Sequence, residues 1–221
     1  MDEMAGEERQ LRADAERNRR RLLDAAATLF AERGLEVSVG EIAERAGVGR
    51  GTLFRNFPTK EHLIAAIVVE RLNEASARGT ELLAAEDPGD TLFRFVQEAF
   101  GIQQRDRALF ESVADEFLAN EQIREAYERF VHTFDQLLQR AQDAGAVRSD
   151  VGTMDVLMLT KGVCQAALSF QELDPEITGR QFDLVRAALA PSEATLRGRR
   201  ATLEDLERAH AVAPSGRAAV R

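Results

Sequence analysis

The chain has little of what would crosslink a small fold or anchor a protein in a membrane. Its 221 residues include one cysteine, Cys164, which excludes an intramolecular disulfide framework. No apolar run approaches the ~20 residues that a membrane-spanning helix needs. The N-terminus carries acids at Asp2, Glu3, Glu7 and Glu8, so it lacks the basic-then-apolar order of a signal peptide. These absences predict a soluble, cytoplasmic protein without a membrane partner.

Groups suited to catalysis or metal binding are also scarce. The three histidines, His62, His132 and His210, lack the mutual spacing of metal ligands. No Ser-His-Asp grouping, paired-carboxylate signature or nucleophile motif is present. The glycine-rich stretch 47–51 does not follow a strand and is not followed by Lys-Ser or Lys-Thr, so it is not a phosphate-binding loop. We therefore expect no metal, no cofactor and no enzymatic activity.

The whole chain has a negative net charge, but one segment of it has a positive net charge. The sequence has 29 basic and 38 acidic residues, for a formal net charge of −9. Residues 17–60 nevertheless carry nine basic and five acidic side chains, whereas residues 61–190 carry 12 and 23. A basic head on an acidic body is typical of a protein that binds phosphates at one end only. For the body alone, the acidic surface is explained by solubility.

Hydrophobic periodicity predicts an all-α protein of about nine helices, because no segment shows sustained period-2 alternation. We expect a flexible arm over 1–14, a three-helix domain over 15–75, a second helical domain over 76–190, and a largely disordered tail over 191–221. The first helix is predicted near 18–33 and the fourth from 59 to about 78. In the body, helices are predicted near 90–104, 106–118, 121–143, 152–172 and 176–190. The tail admits a short helix near 202–210.

Residues 38–57 have the pattern of a helix-turn-helix. Ser38 and Glu41 have the S-x-x-E spacing of a capping box, which predicts a helix start. Gly47 ends that helix at a sharp turn, where a positive φ favours glycine. Pro58 stops the second helix. Its inward face consists of Val48, Leu53 and Phe57, and its outward residues are Arg50, Thr52, Arg55 and Asn56. Such a motif places its second helix in the major groove of DNA.

Three segments carry a resemblance to a known family. They are RLLDAAATLFAERG at 21–34, IAERAGV at 42–48 and GTLFRNFPTK at 51–60. Together they resemble the DNA-binding domain of the tetracycline-repressor (TetR) family of bacterial transcription regulators, over roughly residues 15–75. The chain departs from the family's usual residues in having Phe54 for tyrosine, Asn56 for histidine and Gly49 for serine, which bears on affinity and operator choice.

The resemblance implies a set of residues that contact double-stranded operator DNA. Arg50 or Arg55 is the best candidate for a bidentate guanine contact, and Thr52 and Phe54 suit thymine methyl groups. Lys60 is expected to hold a phosphate, and the arginines at 17, 19, 20 and 21 are further candidates for phosphate contacts. The complete predicted DNA-binding set is Ser38, Arg50, Gly51, Thr52, Phe54, Arg55, Asn56 and Lys60.

For residues 76–190, the resemblance implies a helical ligand-binding and dimerisation domain. It is expected to form a homodimer through helices 152–172 and 176–190 and to bind a small-molecule effector that releases DNA. By analogy with the family, the effector pocket is assigned to Phe110, Phe117, Tyr127, Phe134 and Cys164, although phenylalanines at helical spacing are more often ordinary core. Two alternatives stay open. One is a ligand-independent or activating regulator of the same fold, and the other is an all-helical enzyme or protein-interaction module.

Overall fold

The computed structural model describes residues 2–113, 120–167 and 175–212. Within these ranges the chain forms ten α-helices and no strand, which confirms the predicted all-α class. None of these helices is both long and apolar enough to cross a membrane. The helices are α1 (Asp2–Arg33), α2 (Val39–Ala46), α3 (Arg50–Asn56), α4 (Lys60–Leu82), α5 (Pro88–Arg105), α6 (Arg107–Ser112), α7 (Glu121–Asp143), α8 (Thr153–Ala167), α9 (Pro175–Leu189) and α10 (Leu203–Val212).

The first helix is longer than the sequence predicted. It begins at Asp2 instead of near residue 18, so the stretch 1–14 that we expected to be a flexible arm is helical from residue 2 onward. Residues 2–17 contain one glycine, no proline and no β-branched residue, and are rich in the helix-favouring Ala, Glu and Arg. The high charge of this stretch argued for disorder, whereas its helix propensity determines its structure.

The first of two compact units comprises residues 1–70 and 105–114. Leu22, Ala26, Leu29 and Phe30 of α1 are buried in it, as their spacing predicted. The helix-turn-helix and the first half of α4 complete its core with Ile42, Leu53, Phe57, Leu63 and Ile67. The helix α1 contacts both α2 and α3, and these two helices also contact each other.

The short helix α6 also belongs to this first unit, where it contacts α1 and buries Leu109. The sequence predicted one helix over 106–118 and assigned it to the body. The observed α6 ends at Ser112, and residues 114–119 lie outside the described part of the chain. Hydrophobic spacing predicts that a helix forms but does not identify its packing partner, which explains why the unit limits differ from a division at 75/76.

The second unit comprises residues 71–104 and 115–221. Its core contains an aromatic cluster in which the ring centroid of Phe95 lies 5.7 Å from that of Phe134 and 6.0 Å from that of Phe130. The helix α8 contacts both α7 and α9. The predicted helix at 152–172 is observed over Thr153–Ala167, and residues 168–174 lie outside the described ranges.

The segment that follows α9 contains a short helix over Leu203–Val212, close to the one that the sequence admits near 202–210. It ends in α10 and is bonded to the connection between α7 and α8. The Leu196 N–H donates to the Asp150 carboxylate at 3.0 Å, and Arg148 donates to the Ala194 carbonyl at 2.5 Å. These bonds to charged groups fix a segment that has few apolar residues to bury. The remaining residues, 213–221, are outside the described chain.

Candidate DNA interface

A capping box fixes the start of α2, as predicted. The Ser38 hydroxyl accepts a hydrogen bond from the Glu41 N–H at 3.3 Å, and the Ser38 N–H donates to the Glu41 carboxylate at 3.0 Å. Arg33 pairs with the other carboxylate oxygen of Glu41 at 2.8 Å. The bonds from Ser38, followed by that from Arg33, lower the pKa of Glu41 to about 2. The N-terminus of α2 is therefore stabilised both by the capping box with Ser38 and by the ion pair between Arg33 and Glu41.

The turn between α2 and α3 depends on Gly47, which adopts φ 64° and ψ 37°. Its N–H bonds to the carbonyl of Glu44 at 3.0 Å, and the Val48 N–H bonds to that of Ala43, also at 3.0 Å. A β-carbon at position 47 would lie 2.6 Å from Nη2 of Arg21, so that guanidinium lies against the glycine. The positive charge of Arg21 also suits the negative end of the α2 dipole.

The helix α3 has one buried and one exposed face. Leu53 and Phe57 anchor the inner face and are 1% and 2% exposed. On the outer face, Phe54 is 47% exposed. Of the other predicted DNA contacts on this helix, Thr52 and Asn56 are half-buried, whereas Arg50, Gly51 and Arg55 are exposed. The structure therefore brings six of the eight predicted residues together on one short helix.

Two polar side chains of α3 bond back to their own helix. Arg55 Nε donates to the Gly51 carbonyl at 3.1 Å, and Asn56 Nδ2 donates to the Thr52 carbonyl at 2.8 Å. A guanidinium has five N–H donors, so Arg55 keeps most of its donors after this bond. The amide oxygen of Asn56 is an acceptor and is not used by the bond to Thr52. Both residues therefore keep groups that can bond a base or a phosphate.

The other two predicted contacts lie at helix starts. The exposed Ser38 uses its hydroxyl in the capping box. Lys60 opens α4, and its ammonium donates to the Leu35 carbonyl and lies 5.6 Å from the centroid of the Phe30 ring. An ammonium carries three donors, so the bond to Leu35 leaves Lys60 able to bind a phosphate.

The basic residues of α1 are held by different partners. The Arg19 guanidinium stacks on the Phe57 ring at 4.6 Å. Arg17 pairs with Asp14, and Arg20 lies 4.0 Å from the Glu70 carboxylate. The stack on Phe57 ties α1 to the end of α3. No local pattern in the sequence indicates it, because the two residues are 38 positions apart.

The predicted effector-pocket residues are distributed over both compact units. Phe110 is half-buried and belongs to the first unit, whereas Tyr127 and Phe134 belong to the second. Phe134 is a core residue of the aromatic cluster, and burial raises the pKa of Tyr127 to about 12. Phe117 and the side chain of Cys164 lie outside what the structure describes. The pocket assignment stays a prediction.

The helices predicted to form the dimer present apolar side chains outward. Met158 and Leu159 of α8 and Leu184 of α9 are exposed, by 57%, 37% and 52%. Val156, Val185 and Leu189 of the same two helices are instead buried within the protomer. Each of these two helices therefore packs some apolar side chains inside the protomer and leaves others exposed at its surface.

Comparisons with known proteins agree with this architecture. Residues 22–67 match the model of the bacterial regulatory proteins of the tetR family, and residues 87–191 match the C-terminal domain of SbtR-like transcriptional regulators. The HTH-type transcriptional repressor KstR2 of Rhodococcus jostii is 32% identical over 141 residues, which cover 60% of this chain and 69% of that protein.

Solved structures show the same similarity. A TetR transcription regulatory protein from Mycobacterium vanbaalenii is 34% identical with a TM-score of 0.64, and the match covers 81% of this chain and 99% of the other. The TetR transcriptional regulator SCO0520 of Streptomyces coelicolor is 27% identical with a TM-score of 0.60, over 79% and 99% of the two chains.

Proposed function

Because the chain belongs to the TetR family of transcriptional regulators, we propose that it is a homodimeric repressor that a small apolar or amphipathic ligand releases from a near-palindromic operator. The family consists of DNA-binding regulators and not of enzymes. One observation carries the proposal for DNA binding. The exposed face of α3 presents arginine, threonine, phenylalanine and asparagine side chains on a helix whose inner face is fully packed.

The chemistry of the α3 face suits the major groove. Arg50 and Arg55 can each donate two hydrogen bonds to guanine, and Asn56 can pair with adenine. The exposed ring of Phe54 suits a thymine methyl group, and Lys60 at the start of α4 suits a phosphate. The net charge of +4 over residues 17–60 attracts the DNA backbone to this end of the chain, whereas the acidic body disfavours contact elsewhere.

A dimer is proposed because a single motif reads too few base pairs for a specific site. Two recognition helices related by a twofold axis contact half-sites about 34–36 Å apart. The exposed apolar residues Met158, Leu159 and Leu184 on α8 and α9 support these helices as the dimer surface. Regulators of this family form dimers and often bind small molecules.

Release by a ligand requires that the ligand bind the DNA-free state more tightly. A difference of ~1–3 kcal/mol between the two states is typical of such coupling. The apolar surroundings of the second unit, including the Phe95, Phe130 and Phe134 rings, favour an apolar or amphipathic molecule over a charged one. A ligand-independent or activating regulator is the alternative within the same fold.

DNA binding is tested with the full-length chain and a fluorescent duplex from its own upstream region. We expect salt-dependent binding that Arg50→Ala weakens by ~10-fold or more, corresponding to ~1–3 kcal/mol for a bidentate contact. Arg94→Ala, an exposed arginine of the second unit, is the matched control and leaves the affinity unchanged. If the wild-type chain does not bind at low salt, or if Arg50→Ala binds equally well, this assignment is wrong.

Repression is tested with a reporter gene under the control of the same upstream region. Deleting the regulator raises expression if it is a repressor and lowers expression if it is an activator. A panel of small apolar and amphipathic compounds is then added to the purified protein–DNA complex. Release by one compound supports effector control, whereas a ligand-free crystal structure with a filled second unit argues for the ligand-independent alternative.

A further inference from the structure

The guanidinium of Arg50 rests directly on Gly40. Arg50 is the first residue of α3, and Gly40 lies in the first turn of α2. A β-carbon at position 40 would lie 2.6 Å from Nη2, 3.1 Å from Cζ and 3.2 Å from Nε of Arg50. Contacts under 3.0 Å are essentially never made by real β-carbons. The guanidinium therefore occupies the space that any other residue at position 40 would fill.

This contact holds Arg50 without using its hydrogen-bond donors. Among the described residues, no carboxylate lies within ion-pairing distance of Arg50 and no acceptor bonds its guanidinium. The neighbouring carboxylate of Glu41 is instead bonded to Ser38 and Arg33. Arg50 is also exposed. Its five donors are thus open to DNA while the group itself is packed against α2.

Three other arginines of the first unit are held by ion pairs or hydrogen bonds. Arg33 and Arg20 are paired with glutamates, and Arg55 donates to the Gly51 carbonyl of its own helix. Each of these interactions occupies hydrogen-bond donors of the arginine, or neutralises its charge, and so reduces what the arginine can offer to DNA. Packing on a glycine restricts the arginine and uses neither its charge nor its donors.

We propose that Gly40 is a positioning residue for DNA binding, which acts by holding Arg50 against α2 before DNA arrives. The inference rests on the proposed role of Arg50 at the operator. A long side chain loses conformational freedom when it is fixed on a partner, and prior restriction reduces that loss. The planar guanidinium gains most from being held, because a bidentate contact depends on its orientation.

The change Gly40→Ala separates this role from a role in folding. Gly40 does not have a positive φ, so alanine fits the helical backbone and slightly favours it. The atoms that the new methyl group displaces are the far end of a flexible side chain. We therefore expect the melting temperature to stay the same or rise, while affinity for the operator falls about threefold to tenfold.

The test is a double-mutant cycle on the full-length chain, with fluorescence anisotropy on the upstream duplex and thermal unfolding as readouts. The proteins are wild type, Gly40→Ala, Arg50→Ala and the double variant. Gly101→Ala, a helical glycine of the second unit with nothing within 4 Å of an added β-carbon, is the control and binds as wild type does. Because Gly40 acts through Arg50, we expect Gly40→Ala to change affinity less than about twofold in the Arg50→Ala background.

Several results would overturn the inference. Gly40→Ala that binds as tightly as wild type contradicts it, and so does an equal loss in both backgrounds, which would mean that Gly40 acts through the fold. If DNA affinity depends on Arg50 but not on Gly40, this inference is wrong and the proposed function is unaffected. A wild-type chain that does not bind DNA, or that binds it without Arg50, contradicts the proposed function as well.

Discussion

Phe54 presents an apolar ring on the outer face of α3, where the family usually has tyrosine. Because the ring is 47% exposed, a hydroxyl can be added without burying a polar group. We expect Phe54→Tyr to raise operator affinity by about twofold to tenfold through one hydrogen bond to phosphate, worth ~0.5–1.5 kcal/mol. Phe93→Tyr, at a half-buried phenylalanine of the second unit, is the control. Unchanged affinity of Phe54→Tyr in the anisotropy assay would show that this edge of the ring does not face a phosphate.

The ionisation of Glu41 is expected to make the stability of the first unit depend on pH. Its pKa is lowered from 4.5 to about 2 by bonds from Ser38 and by Arg33, so the ionised form is favoured in the folded state. Because the pKa is lowered in the folded state, the carboxylate contributes its full stabilisation above the ordinary pKa of 4.5. This contribution is lost as the pH falls toward 2 and the carboxylate is protonated. We expect Glu41→Gln to lower the melting temperature at pH 7, and the difference from wild type to shrink below pH 4.5.

The exposed Glu44 lies on the same helix, so Glu44→Gln is the matched control for the acid series. Its melting temperature is expected to follow that of wild type across the same pH range. A difference between wild type and Glu41→Gln that persists unchanged down to pH 2 would show that the carboxylate charge does not stabilise the start of α2.

Among the elements, the helix-turn-helix was predictable and the placement of α6 was not. The capping box of Ser38 and the turn at Gly47 depend on residues three to five positions apart, so the sequence displays them directly. The packing of Leu109 in the first unit, the stack of Arg19 on Phe57 and the contact of Arg50 with Gly40 depend on tertiary structure. The helix α1 begins earlier than the charge of residues 2–17 indicates, because their high helix propensity outweighs their charge.

The turn between α2 and α3 gives a prediction that separates backbone strain from loss of a contact. Gly47→Ala must adopt a left-handed conformation at a cost of about 1 kcal/mol. Gly145→Ala has the same backbone strain, since φ is 67°, but nothing lies within 4 Å of its added β-carbon. We expect similar losses of stability in urea unfolding. Only Gly47→Ala also displaces Arg21 and weakens DNA binding, so equal DNA affinities would contradict the role given to this turn.

At the scale of the whole molecule, the exposed apolar faces of α8 and α9 predict self-association. The exposed fractions of Leu184 on α9 and of Leu196, which follows α9 in the sequence, are 52% and 54%. Leu196 is therefore a matched control for Leu184. We expect Leu184→Glu to shift the protein from dimer to monomer in analytical ultracentrifugation, because a charge is costly in an apolar interface. Leu196→Glu is expected to remain dimeric. A dimer that tolerates Leu184→Glu would place the interface elsewhere.

The contrast between the basic segment 17–60 and the acidic segment 61–190 is visible in the sequence, and the comparisons establish the family. Neither the operator nor the effector is encoded in a local pattern, because both depend on how side chains from several helices are arranged. Tyr127 and Phe134 illustrate the difficulty, since helical spacing alone does not separate a pocket residue from the more common core residue.

Hydroxyl-radical footprinting of the wild-type chain on its own upstream region tests the central claim most directly, namely that the outer face of α3 binds operator DNA twice per dimer. The account predicts two protected half-sites whose centres are about 34–36 Å, or a multiple of this distance, apart along the duplex. It also predicts that the protection weakens in Arg50→Ala. Uniform protection regardless of sequence, or a footprint that Arg50→Ala leaves intact, would contradict it.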